Sequence, residues 1–282
     1  METQIGPGHT RWRLLLATAP LLAALAGGAF LAGDARAQPV SPTPWNALLD
    51  VCVSDTANGG GTAVDYDCFA ARRDALGGYL KALGAVTRKT FDGWSRDQQL
   101  AFLINAYNAW TVELILTAWP ELESIRDLGS LLRSPWKKSF IPLLGETVSL
   151  DDIEHGMIRE AGVYDEPRIH FAVNCASIGC PALRREAYTA DALEAQLEAQ
   201  TQQFLGDRSR NRLRGDTLEV TSLFKWYRDD FEQGWRGADS VEAFLARYAA
   251  ALELDEDDRK RLLAGDLDIE HLEYDWSLNV PQ

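Results

Sequence analysis

The stretch RIHFAVNCASIGCP, residues 168–181, gathers two thiols, an imidazole, an amide and a hydroxyl into one short run. A cysteine attacks only as its thiolate, which needs an imidazole or a helix N-terminus beside it and a third group to orient the base. Cys175 follows RIHFAVN, whose alternation predicts a strand ending at that thiol. Period two then places Arg168, His170 and Asn174 on one face and Ile169, Phe171 and Val173 on the other, so His170 points away from Cys175. His155 is the better general base, and His271 a weaker third. Glu154 would project about 100° from His155 on a helix, so Asn105 or Asn108 is the better orienter or oxyanion donor. A second reading of the same residues stands beside this one: a Cys175–Cys180 disulfide closing the turn, which would silence both thiols.

Cys180 is also a candidate nucleophile, because Pro181 favours a helical start and a helix N-terminus favours a thiolate. The spacing C-x4-C is not the C-x-x-C of thiol oxidoreductases. Zinc on Cys175, Cys180, His155 and His170 lacks any ligand spacing of known sites, so no metal and no cofactor is implied. Ser177 sits in CASIG, a G-x-S-x-G with its first glycine replaced, and reads more simply as a cap on turn backbone than as a nucleophile. Arg168, close to Glu166, could anchor a carboxylate ligand or form a structural salt bridge. Arg159, four residues beyond His155, shares its helix face. Trp110, Trp119, Trp136 and Trp226 read as core.

The elements that must position these groups follow from periodicity. A helix is predicted over 69–84. Ser95 and Gln98 form a capping box for a long apolar helix, DQQLAFLINAYNAWTVELILTAW, closed by Pro120. Asn105 and Asn108 share a face of it, and buried amides there need hydrogen-bond partners. SPWKKSFIPLLGETVSL reads as strands around a turn at Gly145, and Ser149 caps LDDIEHGMIREAG, which carries Glu154 and His155. Thr189 caps ADALEAQLEAQTQQFL. RLRGDTLEV is a hairpin, SLFKWYRDDF and VEAFLARYAAAL are helices, and IEHLEYDWSLN is a terminal strand. With helices dominant and strands few, the fold class is α+β, a helix-rich single domain with a small sheet.

The chain has 282 residues. Residues 1–37 read as a secretory signal: Arg11 and Arg13, an apolar run from Leu14 to Ala32, and small residues at Ala35 and Ala37 for cleavage. An uncleaved membrane anchor is the rival reading. Residues 38–63 read as an extended leader and a loop closed by a Cys52–Cys68 disulfide, as expected of four cysteines in an oxidising compartment. Beyond residue 37 the chain carries 25 basic against 40 acidic side chains, which argues against nucleic acid or anionic lipid as partner. Oligomeric state is not encoded in any motif.

AFLINAYNAWTVELIL, SPWKKSFI, SLDDIEHGMIR, PRIHFAVNCASIGCPALRREAYTADALEAQL, FKWYRDDF and YDWSLN together resemble the bacterial, exported branch of the domain of unknown function 547 family, from about Val64 to Asn279. The resemblance implies a site at Asn105, Tyr107, Asn108, Glu154, His155, Arg168, His170, Asn174, Cys175, Ser177, Cys180 and Pro181. Distant eukaryotic relatives keep the serine and proline of this turn but not both cysteines. The sequence departs from the family pattern at Cys52, Cys68 and Gly59–Gly61, which supports a local disulfide. The expectation is a periplasmic or secreted hydrolase or acyl-transferase on an amide or ester, with a papain- or transglutaminase-like site of Cys175, His155 and Asn105. Its substrate would be a small molecule, a peptide or a cell-envelope chain. The alternative is a non-catalytic binding module in which Arg168 and the asparagines line the pocket and Cys175–Cys180 is structural.

Overall fold

From Leu100 to Leu116 every residue except Glu113 is buried, and a helix apolar on all sides must lie at the centre of its domain. The computed structural model, which describes residues 39–56, 60–130 and 133–281, places helix α5 there. Around it, in chain order, lie α1 (Thr43–Cys52), β1 (Val53–Asp55), β2 (Thr62–Val64), α2 (Tyr66–Ala71), α3 (Arg73–Gly84), α4 (Arg88–Asp92) and α5 itself (Arg96–Leu116). The predicted capping box forms: the Ser95 hydroxyl accepts from Gln98 N, and the Gln98 side chain accepts from Ser95 N. The single helix expected over 69–84 is divided at Arg72 into α2 and α3.

The segment expected as an extended leader is helical from Thr43. Pro44 in the first turn presets the backbone, and Trp45, Leu48, Leu49 and Cys52 form one buried stripe. Trp45 stacks on Tyr79 of α3 at 5.7 Å. The signal-like segment lies outside the described residues. Among those described, no helix is long and apolar enough to cross a membrane.

Next come β3 (Ile141–Leu143) and β4 (Glu146–Val148), turned tightly at Leu144 and Gly145, both at positive φ. The helix carrying Glu154 and His155 follows. Ser149 caps it as expected, its hydroxyl accepting from Asp152 N, but Asp152–Ile158 is wound as a π-helix. Such bulges are rare and often lie at functional sites.

RIHFAVN is not a strand. Pro167–Phe171 form a 3₁₀ turn, and the Glu166 carboxylate caps it by accepting from Arg168 N. The alternation of polar and apolar residues suggested one wet face, yet Arg168, Ile169, His170, Phe171, Val173 and Asn174 are all buried. Nor does Pro181 start a helical turn, because its carbonyl is held by the Asn174 amide.

The second half comprises α6 (Leu193–Leu205), β5 (Arg212–Arg214), β6 (Thr217–Val220), α7 (Leu223–Trp226), α8 (Arg228–Phe231), α9 (Val241–Arg247), α10 (Glu256–Ala264) and β7 (Asp268–His271). Helix α6 starts after Ala192, so Thr189 does not cap it; its backbone N–H instead donates to Gln196. SLFKWYRDDF is two single turns broken at Tyr227. β5 and β6 form the predicted hairpin, and β7 adds parallel to β6 with Leu218 opposite Ile269. The expected terminal strand stops at His271. Residues 272–281 instead run back over the 175–180 turn.

Two apolar clusters result. One surrounds α5; the other joins Phe171 of the 3₁₀ turn to Phe204, Phe224, Phe231 and Phe244 of the second half. The α+β class holds, with two- and three-stranded sheets at the margins of a helical core.

Candidate functional site

The two clusters meet at an aromatic-walled cavity of about 240 Å³. Tyr107 of α5 and Glu154 and His155 of the π-helix line it, as do His170, Cys175 and Cys180. Trp136, Trp226, Tyr227, Tyr274 and Trp276 supply the aromatic wall. Trp276 lies between its neighbours, with ring centroids 4.5 Å from Tyr274, 5.7 Å from Trp136 and 5.8 Å from Trp226. Trp226, expected in the core, is 46% exposed and belongs to this wall.

Glu154 is only 6% exposed. Its carboxylate faces the Tyr107 and Tyr227 hydroxyls, whose ionisation is pushed up first by burial and then by that neighbouring charge. Among the described residues no cation forms an ion pair with Glu154. The nearby Arg159 guanidinium is held by Asp230, with Nη2 to Oδ1 at 3.1 Å, and also meets His155 Nδ1. His155 Nε2 lies 3.8 Å from Asp151 Oδ1 one turn earlier, within charge contact but beyond hydrogen-bond distance.

His170 Nε2 lies 2.6 Å from Asp230 Oδ2, and its ring stacks on Tyr227 at 3.9 Å. Burial lowers the His170 pKa despite the favourable pull of Asp230. Burial alone would raise Asp230, but His170 and Arg159 outweigh it and hold the carboxyl at about 2.

Cys175 and Cys180 are joined in a disulfide. Tyr274 Oη lies 3.2 Å from both sulfurs and Ser177 Oγ 3.4 Å from both. The turn is held by more than its disulfide. Asn174 receives Ala176 N on its side-chain oxygen and donates to Pro181 O at 2.7 Å. Ile178 N and Gly179 N donate to Ser277 O and Asp275 O, both at 2.8 Å. Ala176 adopts the left-handed conformation, at φ 62°. At Gly179 a Cβ would fall 2.8 Å from the Tyr274 ring, so the missing side chain is what lets that ring reach the sulfurs.

Several predicted site residues do other work. Asn105 donates to Tyr188 O and accepts from Tyr188 N, and it lines a different cavity. Its amide clamps backbone and does not reach Cys175 or His155 as an orienter. Asn108 likewise donates to Ala172 O and accepts from Asn174 N, fixing the entry to the cysteine turn. Asn174 and Ser177 are buried within that turn. Arg168 is 0% exposed, with Glu166, Glu194 and Glu198 on its guanidinium and Trp235 stacked over it. With its donors engaged by three carboxylates it pins α6 to the 3₁₀ turn and offers nothing to a ligand. His271 sits on β7, away from the cavity. No group of three or more His, Cys, Asp or Glu side chains is arranged to hold a metal ion among the described residues.

Asp151, Asp230, Tyr227, Tyr274 and Trp276 were not singled out from the sequence. Asp230 and Tyr227 lie in FKWYRDDF, and Tyr274 and Trp276 in YDWSLN, so the recurring motifs were the available signal.

With this geometry in view, the comparison with protein families is informative. The family described as "Protein of unknown function, DUF547" matches residues 91–205, a span holding α5, Glu154, His155 and the cysteine turn. The match supports that family over residues 91–205, which is less than half of the chain. Neither the curated proteins nor the solved structures returned a match.

Proposed function

We propose that the protein is exported and that its aromatic cavity binds a small organic cation, an amine or quaternary ammonium, free or at the end of a peptide or cell-envelope chain. The observation that carries this reading is Glu154: a buried carboxylate that, among the described residues, is in no ion pair and faces a cavity walled by five aromatic rings. A buried charge is costly unless paired, and a ligand cation would supply the pair. Aromatic faces add cation–π attraction, worth about 0.5–2 kcal/mol per contact. Export is supported by the signal-like N-terminus and by two disulfides.

Tryptophan fluorescence titrations with choline, alkylamines and matched carboxylates test the reading. Amines should quench the signal, and Glu154→Gln should weaken them at least tenfold. Equal binding of carboxylates, or an unchanged affinity in Glu154→Gln, would sink it.

A second reading is favoured by Cys175 and His155 sharing the cavity. Once Cys175–Cys180 is opened, Cys175 would attack an amide or ester, with His155 taking the thiol proton on the Nδ1 that Arg159 now meets. Its signature is hydrolysis or acyl transfer that appears with reductant and vanishes in both Cys175→Ser and His155→Gln. Persistence in either variant would dismiss it.

A further inference from the structure

The Cys175–Cys180 bond is unlike an inert staple in its surroundings. Cys180 Sγ is 3% exposed by residue and is met by three donors: Cys175 N at 2.8 Å, Tyr274 Oη at 3.2 Å and Ser177 Oγ at 3.4 Å. Both cysteines line the aromatic cavity, and Cys175, only half-buried, is the more exposed of the two. The two hydroxyls lie equally near both sulfurs, but the Cys175 N–H is directed at Cys180 Sγ alone, so negative charge is better stabilised on Cys180 and Cys175 is the more reachable sulfur. In thiol–disulfide exchange the leaving sulfur departs faster as its thiolate is better stabilised, and attack falls on the accessible sulfur.

The turn does not depend on the bond for its shape. Asn174 holds Ala176 and Pro181, and backbone bonds from Ile178 and Gly179 to the terminal segment hold its far side. Opened, the two thiols would stay adjacent and ready to re-form.

We propose that Cys175–Cys180 is an exchange-active disulfide that oxidises cysteine thiols delivered through the aromatic cavity, with Cys175 the attacked sulfur and Cys180 the leaving one. An incoming thiolate forms a bond to Cys175 Sγ as the Cys175–Cys180 bond breaks, and the electron pair leaves on Cys180 Sγ. Ser177 and Tyr274 turn their hydroxyl protons toward that thiolate, joining the Cys175 N–H. A second thiolate then attacks the mixed disulfide at the substrate sulfur and releases Cys175 as a thiolate. Two substrate thiols become one disulfide, and the protein pair gains two electrons. The substrate class is a cysteine thiol, on a small molecule or on a short peptide. This assignment is independent of the cation-binding reading, because it uses the turn and not Glu154.

The test treats the purified, oxidised protein with glutathione or with a short single-cysteine peptide, quenches by alkylation, and maps each cysteine by mass spectrometry over time. Cys175–Cys180 should open at least tenfold faster than Cys52–Cys68 in the folded protein. With glutathione disulfide as the probe, Cys180→Ser should take up glutathione on Cys175 as a mixed disulfide with release of one glutathione thiolate, whereas Cys175→Ser should leave Cys180 unmodified. Tyr274→Phe and Ser177→Ala should each slow opening roughly three- to tenfold, and should raise the Cys180 thiolate titration followed by ultraviolet absorbance in Cys175→Ser. Faster reaction with the peptide, or with glutathione, supports the exchange and identifies the source of the thiol. Equal opening of both disulfides, opening only on unfolding, an adduct on Cys180, or rates and titrations unmoved in both hydroxyl variants would each overturn the assignment. The titration separates a leaving-group role from a structural one, since loosening the turn alone would not shift a thiol's ionisation in that direction.

Discussion

The molecule closes two segments with cysteine pairs, and their settings differ at every level. Cys52–Cys68 links the end of α1 to α2 across the β1–β2 hairpin, over a sequence separation of 16. Cys52 lies in the core, and Cys68 is flanked by Val51 O and Arg72 Nη1. Cys175–Cys180 spans a separation of only 5, inside a turn already fixed by Asn174 and the terminal segment, and faces a cavity. A disulfide stabilises by limiting the unfolded chain, more so for a longer loop. By that argument the first bond belongs to stability and the second to chemistry.

The largest expected effect is therefore on the first pair. The double substitution Cys52→Ala, Cys68→Ala should lower unfolding free energy by about 3 kcal/mol, read by chemical denaturation. Asn174→Ala follows at roughly 2–3 kcal/mol, because it strips partners from buried groups at Ala176 and Pro181. If it proves milder than the double alanine variant of Cys175 and Cys180, the turn relies on its disulfide after all. That variant should itself cost about 2 kcal/mol, less than the first pair because its bond closes a shorter loop in the unfolded chain.

The smallest effect lies in pH. His170 titrates near 6.5 when unfolded and lower when folded, so stability should fall as pH drops below about 6.5. Asp230 and Glu194, held at about 2 in the fold, contribute stability that is present above the ordinary carboxyl range and is lost as pH falls from about 4 toward 2. Thermal melts from pH 8 to 2 should show both phases, with the upper one absent in His170→Gln and the turn's cysteines irrelevant to either.

Much of the frame could be read directly. The capping box and Pro120 bracketed α5, because helix ends obey local hydrogen-bonding rules that four residues can satisfy. The asparagine pair demanded partners and has them. The site was legible as a set of segments but not as an arrangement. Asn105 and Arg168 looked like ligand groups because their backbone and carboxylate partners, Tyr188, Glu194 and Glu198, are distant in sequence. Trp226 looked like core because hydrophobicity alone cannot tell a cavity wall from an interior.

What the sequence by itself determined is local: where the central helix starts, which turns need glycine, which cysteines are close enough to pair, and which residue types are available for chemistry. Only the tertiary structure decided which polar groups were already satisfied. Arg168 and His170 stand two residues apart in one 3₁₀ turn, yet one is buried under three carboxylates and the other lines the cavity beside Glu154. That difference comes from charges contributed by α6 and α8. No spacing along the chain encodes it, because the energy of a buried polar group is set by the partners folding brings to it.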